Sequence, residues 1–125
     1  MATILVVDDE APIRSAVRRF LQIKGHKVFE ACDGSEALEV LAAHSVDMAV
    51  VDLMMPRMNG VELISRMRSD YPDTRVVVIS AYSDLTGLST TKSNVVTVLR
   101  KPFELRHLAD AVDLALGQRQ GAAAS

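Results

Sequence analysis

Cysteine is almost absent from this sequence, since Cys32 is the only one among 125 residues. One thiol excludes an internal disulfide and any zinc site built from cysteines. The three histidines, His26, His44 and His107, have no spacing typical of metal ligands, and we expect them at the surface. Any metal site must therefore use oxygen ligands.

Long apolar runs and an excess of one charge are also missing. No apolar stretch reaches the length that crosses a bilayer, and the start Met-Ala-Thr lacks the basic and apolar segments of a secretory signal. We therefore expect a cytoplasmic protein that does not contact membranes. Fourteen basic against sixteen acidic residues give a net charge of −2, which provides no broad attraction for nucleic acid. Protein partners are expected instead.

The sequence alternates short apolar runs with helical patterns, which is typical of repeated βα units around a parallel sheet. Its composition, 49% hydrophobic and 24% charged residues, is that of an ordinary globular domain. We predict an α/β, doubly wound fold with five βα units in one domain over residues 1–118. The predicted strands are Thr3–Val7, Lys27–Ala31, Asp47–Val51, Arg75–Ile79 and Asn94–Val98.

Turn and capping residues indicate where the first two helices begin and end. Pro12 lies in the first turn of the first helix, and Gly25 ends that helix. Asp33, with Glu36 three residues later, predicts the N-cap of the second helix. These residues divide the chain between the predicted strands.

Two later segments depart from the regular pattern. The stretch Asp84–Asn94 contains poor helix formers, so we predict a fourth helix that is short or mobile. The last helix is predicted from about Phe103 to Gly117. Residues 119–125 have too little apolar surface to pack, and we expect a disordered tail there.

Acidic and basic residues stand where three of the apolar runs end: Asp8 and Asp9, Asp52, and Lys101. The carboxyl ends of parallel strands form the crevice where open α/β folds bind ligands, so these side chains should converge. Adjacent carboxylates stay ionised at neutral pH only if a positive charge lies between them. Hard oxygen ligands favour Mg²⁺, and Lys101 can hold a phosphate as a point charge. The combination predicts a phosphoryl-transfer site.

Two alternatives compete with this interpretation. Each carboxylate could simply cap a helix by accepting hydrogen bonds from exposed N–H groups, but three aspartates and a lysine at one sheet edge favour a shared site. A nucleotide-binding domain would need a glycine-rich loop after the first strand, where Asp8 and Asp9 instead repel phosphate in the absence of metal. Glu10, the next residue, is expected to face solvent or the first helical turn.

Four motifs together resemble the receiver domain of two-component response regulators. They are VVDDE at 6–10, VDLMMPRMNG at 51–60, SA at 80–81 and KPF at 101–103. The resemblance covers nearly the whole chain, and four motifs in this order are very specific. It implies a flavodoxin-like (βα)5 fold with a five-stranded parallel sheet in the order 2-1-3-4-5.

The resemblance also implies which residues bind the metal ion. Asp9, Asp52 and the backbone carbonyl of Met54 are the implied Mg²⁺ ligands, and Asp8 acts through a metal-bound water. Mn²⁺ can substitute for Mg²⁺. Asp52 is also the implied phosphoacceptor, which takes a phosphoryl group from a phosphohistidine.

The remaining implied site residues contact the phosphoryl group. Lys101 grips one phosphoryl oxygen, and the hydroxyl of Ser80 donates to another and moves inward on phosphorylation. The peptide bond before Pro102 is commonly cis in such domains. One departure is Val98, which stands where many receivers have an aromatic residue that swings inward, so switching through an aromatic rotamer is not expected here.

The implied function is a phosphorylation-dependent switch of a protein-interaction surface. The donor is a histidine kinase or a phosphotransfer protein, and the recipient of the signal is a downstream protein or an output domain; a phosphorylation-dependent dimer is compatible with this. The domain is not a turnover enzyme, although it catalyses its own phosphorylation and slow dephosphorylation.

Arg14, Arg18 and Arg19 form a basic face on the first helix, which is either solvated or used for kinase docking. The alternative function is a receiver-like interaction module that acts without phosphorylation.

Overall fold

The computed structural model describes residues 2–53, 60–80 and 95–124. Five strands form one parallel sheet in the order β2-β1-β3-β4-β5, so the predicted fold class and strand order are confirmed. The strands are β1 (Thr3–Val7), β2 (Lys27–Ala31), β3 (Met48–Asp52), β4 (Arg75–Ser80) and β5 (Val95–Arg100). The helices are α1 (Ala11–Ile23), α2 (Gly34–Ala43), α3 (Gly60–Asp70) and α4 (Leu105–Ala124).

The sheet is covered on both faces, which explains its continuous apolar strands. Along β1, Leu5 and Val7 belong to one core cluster and Ile4 and Val6 to the other. The first cluster includes buried side chains of α2 and α3, and the second includes buried side chains of α1 and α4. Because side chains alternate along a strand, a strand buried on both faces has no polar alternation.

Local sequence signals explain the first two helices. Pro12 lies at the start of α1, and Gly25, with φ of +96°, follows its end in the left-handed conformation that glycine tolerates. The Asp33 side chain caps α2 by accepting a hydrogen bond from the Glu36 N–H at 2.9 Å. Glu36 in turn accepts one from the Cys32 N–H at 2.8 Å. The predicted boundaries at these residues are confirmed.

Strand ends differ from the prediction by one or two residues. The strands β3 and β4 extend to Asp52 and Ser80, and β5 extends to Arg100, because backbone pairing continues through these polar residues. Leu53 N–H still donates to the Ile79 carbonyl at 3.0 Å, and Lys101 N–H to the Ser80 carbonyl at 2.8 Å. The chemistry-bearing side chains are therefore attached to, or directly follow, hydrogen-bonded strand ends.

The last helix is longer than predicted, since α4 continues past Gly117 to Ala124. A glycine costs a helix only about 1 kcal/mol relative to alanine, and the following glutamine, arginine and alanine residues favour helix. The domain boundary at residue 118 stays a prediction.

The predicted fourth helix within Asp84–Asn94 lies outside the described residues. Within the described ranges, the helices lack the combination of length and apolar character that a bilayer span requires.

Candidate functional site

The carboxyl edge of the sheet brings the predicted site residues together. Asp8 follows β1, Asp52 ends β3, Ser80 ends β4, and Lys101 follows β5. Asp8, Asp9, Glu10 and Asp52 each place one carboxylate oxygen within 4.8 Å of the others, a spacing that allows them to share a metal ion. The predicted convergence of Asp8, Asp9 and Asp52 is thus present in the structure, and Glu10 joins them.

Lys101 lies in contact with three of these carboxylates. Its Nζ atom is 3.0 Å from Oδ2 of Asp52 and 3.6 Å from Oδ2 of Asp8. Nζ also donates to Oε1 of Glu10 at 2.8 Å. Burial alone lowers the pKa of Lys101, but the hydrogen bonds to Glu10 and Asp52 outweigh it, so the net pKa is raised and the ammonium stays charged. The peptide bond between Lys101 and Pro102 is cis, as the family resemblance implies.

Glu10 is the site contact that the sequence did not predict. Its extended backbone caps α1, which agrees with the predicted position at the first helical turn, yet its carboxylate also reaches Lys101. The two residues are 91 positions apart in sequence, so their proximity depends on the tertiary fold. The one available signal was the place of Glu10 directly after two acidic residues at a strand end.

Asp8 is the most constrained carboxylate of the cluster, with 2% exposure. Burial raises its pKa to about 6; the hydrogen bond from the Glu10 N–H and the charge of Lys101 oppose this rise, and the charge of Asp52 adds to it. Its Oδ1 atom accepts from the Glu10 N–H at 2.9 Å. Its buried Oδ2 atom has no hydrogen-bond partner among the described residues.

These features fit a hard divalent cation. Buried polar atoms almost always form hydrogen bonds, so Oδ2 of Asp8, which among the described residues has only the 3.6 Å ion pair with Lys101, is suited to a metal or to a metal-bound water. Asp9 is exposed and Asp52 is 3% exposed, so the cluster opens to solvent on one side. An all-oxygen donor set that leaves room for water matches the coordination of Mg²⁺. Met54, the fourth predicted ligand, lies outside the described residues.

Ser80 and Val98 lie on the neighbouring strands β4 and β5, where Val98 pairs with Val78. Ser80 is 1% exposed at the end of β4, directly adjacent to β3, which carries Asp52. Val98 on β5 is half-buried and packs against the core cluster that contains side chains of α2 and α3. A valine in this position fills part of the core.

The basic face of α1 is partly neutralised. Arg14 Nε lies 3.1 Å from Oε1 of Glu30 on β2, and Arg18 Nη1 lies 3.0 Å from the other oxygen of the same carboxylate. Arg19 is exposed. Two of the three arginines therefore connect α1 to the edge strand.

An apolar depression of about 540 Å³ adjoins the acidic cluster. Its lining includes Ile13 and Ala16 of α1, Phe103 of the following connection, and Leu105, which is 42% exposed at the start of α4. Glu10 and Lys101 also line it, so the depression reaches the charged site. The surface next to the site is thus apolar with a charged rim.

Comparisons with known proteins agree with this geometry. Residues 4–113 match the family model described as response regulator receiver domain. The chain is 31% identical over 110 residues to sporulation initiation phosphotransferase F of Bacillus subtilis (strain 168), covering 87% of this chain and 89% of that protein. It is 35% identical over 124 residues to the DNA-binding transcriptional regulator NtrC of Azospirillum brasilense, covering 98% of this chain and 26% of that protein.

A solved structure supports the same assignment. The response regulator protein TrrA of Thermotoga maritima, in complex with Mg²⁺ and BeF, matches with a TM-score of 0.82 and 31% identity. That match covers 93% of this chain and all of the other. The chain thus spans most of some relatives but only about a quarter of NtrC.

Proposed function

We propose that this chain, which belongs to the response regulator receiver domain family, accepts a phosphoryl group on the carboxylate of Asp52. The observation that carries the proposal is the 3.0 Å contact between Asp52 and Lys101 inside a cluster of four carboxylates. A carboxylate can act as the nucleophile of phosphoryl transfer when the phosphoryl oxygens are neutralised and the donor is held in line. Lys101 supplies one such neutralising charge.

The proposed step transfers the phosphoryl group from a phosphohistidine. An oxygen of Asp52 forms a bond to phosphorus while the bond between phosphorus and the imidazole nitrogen breaks. The electron pair of that bond goes to the imidazole, which then takes a proton from water. Lys101 shifts its hydrogen bond from Asp52 to a phosphoryl oxygen, and Ser80 at the adjacent strand end donates its hydroxyl to another.

Asp9, Asp52 and the carbonyl of Met54 would hold Mg²⁺, with Asp8 bound through water, and Mn²⁺ would serve in its place. The bound cation supplies charge neutralisation for the phosphoryl oxygens. Asp8 contributes a buried carboxylate whose pKa is raised by burial, and a nearby cation would favour its ionised form. The same residues support slow hydrolysis of the acyl phosphate, in which water attacks phosphorus, the bond to the Asp52 oxygen breaks and inorganic phosphate leaves. The domain thus modifies itself and then restores its own free carboxylate.

The partner proposal follows from the surface around the site. A histidine kinase or a phosphotransfer protein must bring its phosphohistidine to Asp52 and exclude water. The apolar depression beside Glu10 and Lys101 offers a contact area for that purpose. We place the protein in the cytoplasm, where ATP can supply the phosphoryl group of a histidine kinase. Its output is a changed contact with a downstream protein, an output domain or a second phosphorylated copy.

The test is phosphotransfer from a labelled small phosphodonor or a candidate kinase in the presence of MgCl₂. The wild-type protein should acquire label that hydroxylamine releases, as expected for an acyl phosphate, and Asp52→Asn should acquire none. Asp110→Asn removes an exposed carboxylate from α4 and should retain labelling. Full labelling of Asp52→Asn would place the acceptor elsewhere.

A phosphorylation-independent interaction module is the competing function, and a phosphoryl analogue separates the two. Beryllofluoride with Mg²⁺ should shift the amide signals of Ser80 and Lys101 if the site binds a phosphoryl group. Unchanged signals at both residues would favour the competing function. Because this measurement needs no kinase, it is independent of finding the physiological donor.

A further inference from the structure

Asp8 is fixed by contacts from two elements outside the acidic cluster. Its N–H donates to the carbonyl of Ala31, the last residue of β2, at 3.1 Å. Its own carbonyl accepts a hydrogen bond from Nη1 of Arg14 on α1 at 2.7 Å. Because Oδ1 accepts from the Glu10 N–H, the carboxylate can turn little, and Oδ2 stays on the side of Lys101.

The guanidinium group of Arg14 is itself held in place by a second contact, through its Nε atom. Its Nε donates to Oε1 of Glu30 at 3.1 Å, and Oε2 of Glu30 accepts from Arg18 at 3.0 Å. The side chains of Arg14 and Glu30 are 19% and 27% exposed, so this contact is more sheltered than a surface ion pair. A guanidinium that donates in two fixed directions is a rigid connector, in contrast to a flexible ammonium group.

We propose that Arg14 is a positioning residue for cation binding: it ties the carbonyl of Asp8 to Glu30 of β2 and thereby fixes the orientation of the Asp8 carboxylate. This inference rests on the function proposed above, because it takes the acidic cluster as the Mg²⁺ site. Groups that orient metal ligands from behind typically change metal affinity by about 10–100-fold when they are removed. Arg14 donates to the backbone carbonyl of Asp8, so it acts on the Asp8 carboxylate through the backbone.

Electrostatics and positioning predict opposite results for the loss of Arg14. Removing a positive charge near a cation site lowers repulsion and strengthens Mg²⁺ binding if charge alone matters. Removing the anchor of Asp8 weakens binding if orientation matters. The sign of the change in affinity therefore separates the two effects.

The experiment measures Mg²⁺ affinity by calorimetric titration of the metal-free protein with MgCl₂. Arg14→Met keeps the length of the side chain without its donors, and we expect the dissociation constant to rise about tenfold. Arg19→Met removes an exposed arginine from the same helix, and we expect an unchanged or slightly lower dissociation constant. Thermal unfolding confirms that each variant is folded at the titration temperature.

A second variant keeps the test decisive if Arg14→Met fails to fold. Arg14→Lys keeps the positive charge but loses the planar group that donates to both Asp8 and Glu30, so charge alone predicts an unchanged dissociation constant, whereas positioning predicts a rise of about tenfold. In the metal-free protein, Arg14→Met should also shift the amide signal of Glu10, which donates to Asp8.

The outcomes distinguish the inference from the function on which it rests. Normal Mg²⁺ binding by the wild type with equal or tighter binding by Arg14→Met and Arg14→Lys overturns the positioning role and leaves the proposed function intact. A wild-type protein that does not bind Mg²⁺ overturns the proposed function, and the positioning role with it.

Discussion

The Nζ atom of Lys101 lies 2.8 Å from Oε1 of Glu10, closer than its 3.0 Å distance from Oδ2 of Asp52. The Glu10 side chain is 55% exposed, whereas that of Asp52 is 4% exposed. The exposed carboxylate can return to water at low cost, but the buried one cannot. In the proposed mechanism, Glu10 therefore competes for the ammonium group that would bind a phosphoryl oxygen, and it adds a negative charge beside the site.

Replacing Glu10 by Gln should speed phosphorylation. The amide holds Lys101 more weakly and no longer repels an anionic donor, so we expect labelling from acetyl phosphate with Mg²⁺ to be about 2–5-fold faster, the range of an exposed ion pair. Glu104→Gln is the matched control, since Glu104 is an exposed glutamate paired with Arg106 at 3.0 Å. Labelling of Glu10→Gln that is equal to or slower than the wild type would contradict the competition.

Replacing Lys101 by Met should make the fold dependent on Mg²⁺. The variant loses a cation that contacts both Asp8 and Asp52, and leaving buried carboxylates without it should lower the free energy of unfolding by up to about 3 kcal/mol in EDTA. Millimolar MgCl₂ should restore more stability to the variant than it adds to the wild type. Thermal unfolding with and without MgCl₂ measures this difference.

Lys24→Met provides the control for a lost lysine away from the cluster. Lys24 lies 5.6 Å from the centre of the Phe20 ring, so its loss removes a surface cation–π contact only. We expect the same response to MgCl₂ as in the wild type. If MgCl₂ raises the free energy of unfolding of both lysine variants equally, the ammonium group of Lys101 does not take the place of the cation.

The N-cap of α2 should carry a measurable share of the stability. Asp33→Ala removes the oxygen that accepts from the Glu36 N–H, and we expect a loss of about 1 kcal/mol in the free energy of unfolding. Urea denaturation measures this loss, with Glu39→Ala, an exposed glutamate of the same helix, as control. If Glu39→Ala lowers the free energy of unfolding by as much, the effect comes from the loss of a negative charge on α2 and not from the loss of the N-cap.

Much of the fold follows from the sequence because its strands are buried on both faces. The runs Ile4–Val7 and Val76–Ile79 contact a core on each side of the sheet, so each position must be apolar and the run stands out. Strand ends were less predictable. The backbone of a polar residue such as Ser80 can still pair with the neighbouring strand, and the type of its side chain does not predict whether it does.

The strand pattern by itself predicted the site only at the level of the sheet edge, and the family resemblance added individual residues such as Ser80 and the cis peptide bond before Pro102. Asp8, Asp52 and Lys101 follow apolar runs and therefore had to lie at one edge. The sequence could not show that Glu10 reaches Lys101 or that Arg14 binds the carbonyl of Asp8. Both contacts depend on the position of α1 relative to the strands, which side-chain packing determines.

The pH dependence of stability in the absence of metal tests the burial of Asp8. Burial raises the pKa of Asp8 from 3.8 to about 6 in the folded protein. Between about pH 4 and pH 6 the folded state therefore keeps a proton that the unfolded chain releases, and this group's contribution to the free energy of unfolding falls as the pH rises through that window. Above it, the buried charge remains a net cost.

Asp8→Asn removes this titration while keeping the size of the side chain. In EDTA we expect the variant to be more stable than the wild type at neutral pH by about 1–3 kcal/mol, with the difference vanishing towards about pH 4. Urea denaturation of both proteins across this range isolates the contribution of Asp8, because their other titrating groups are shared. Mg²⁺ should reverse the order at neutral pH, since the wild type binds it more tightly. A difference that stays constant with pH would mean that burial does not raise the pKa of Asp8 in the folded protein.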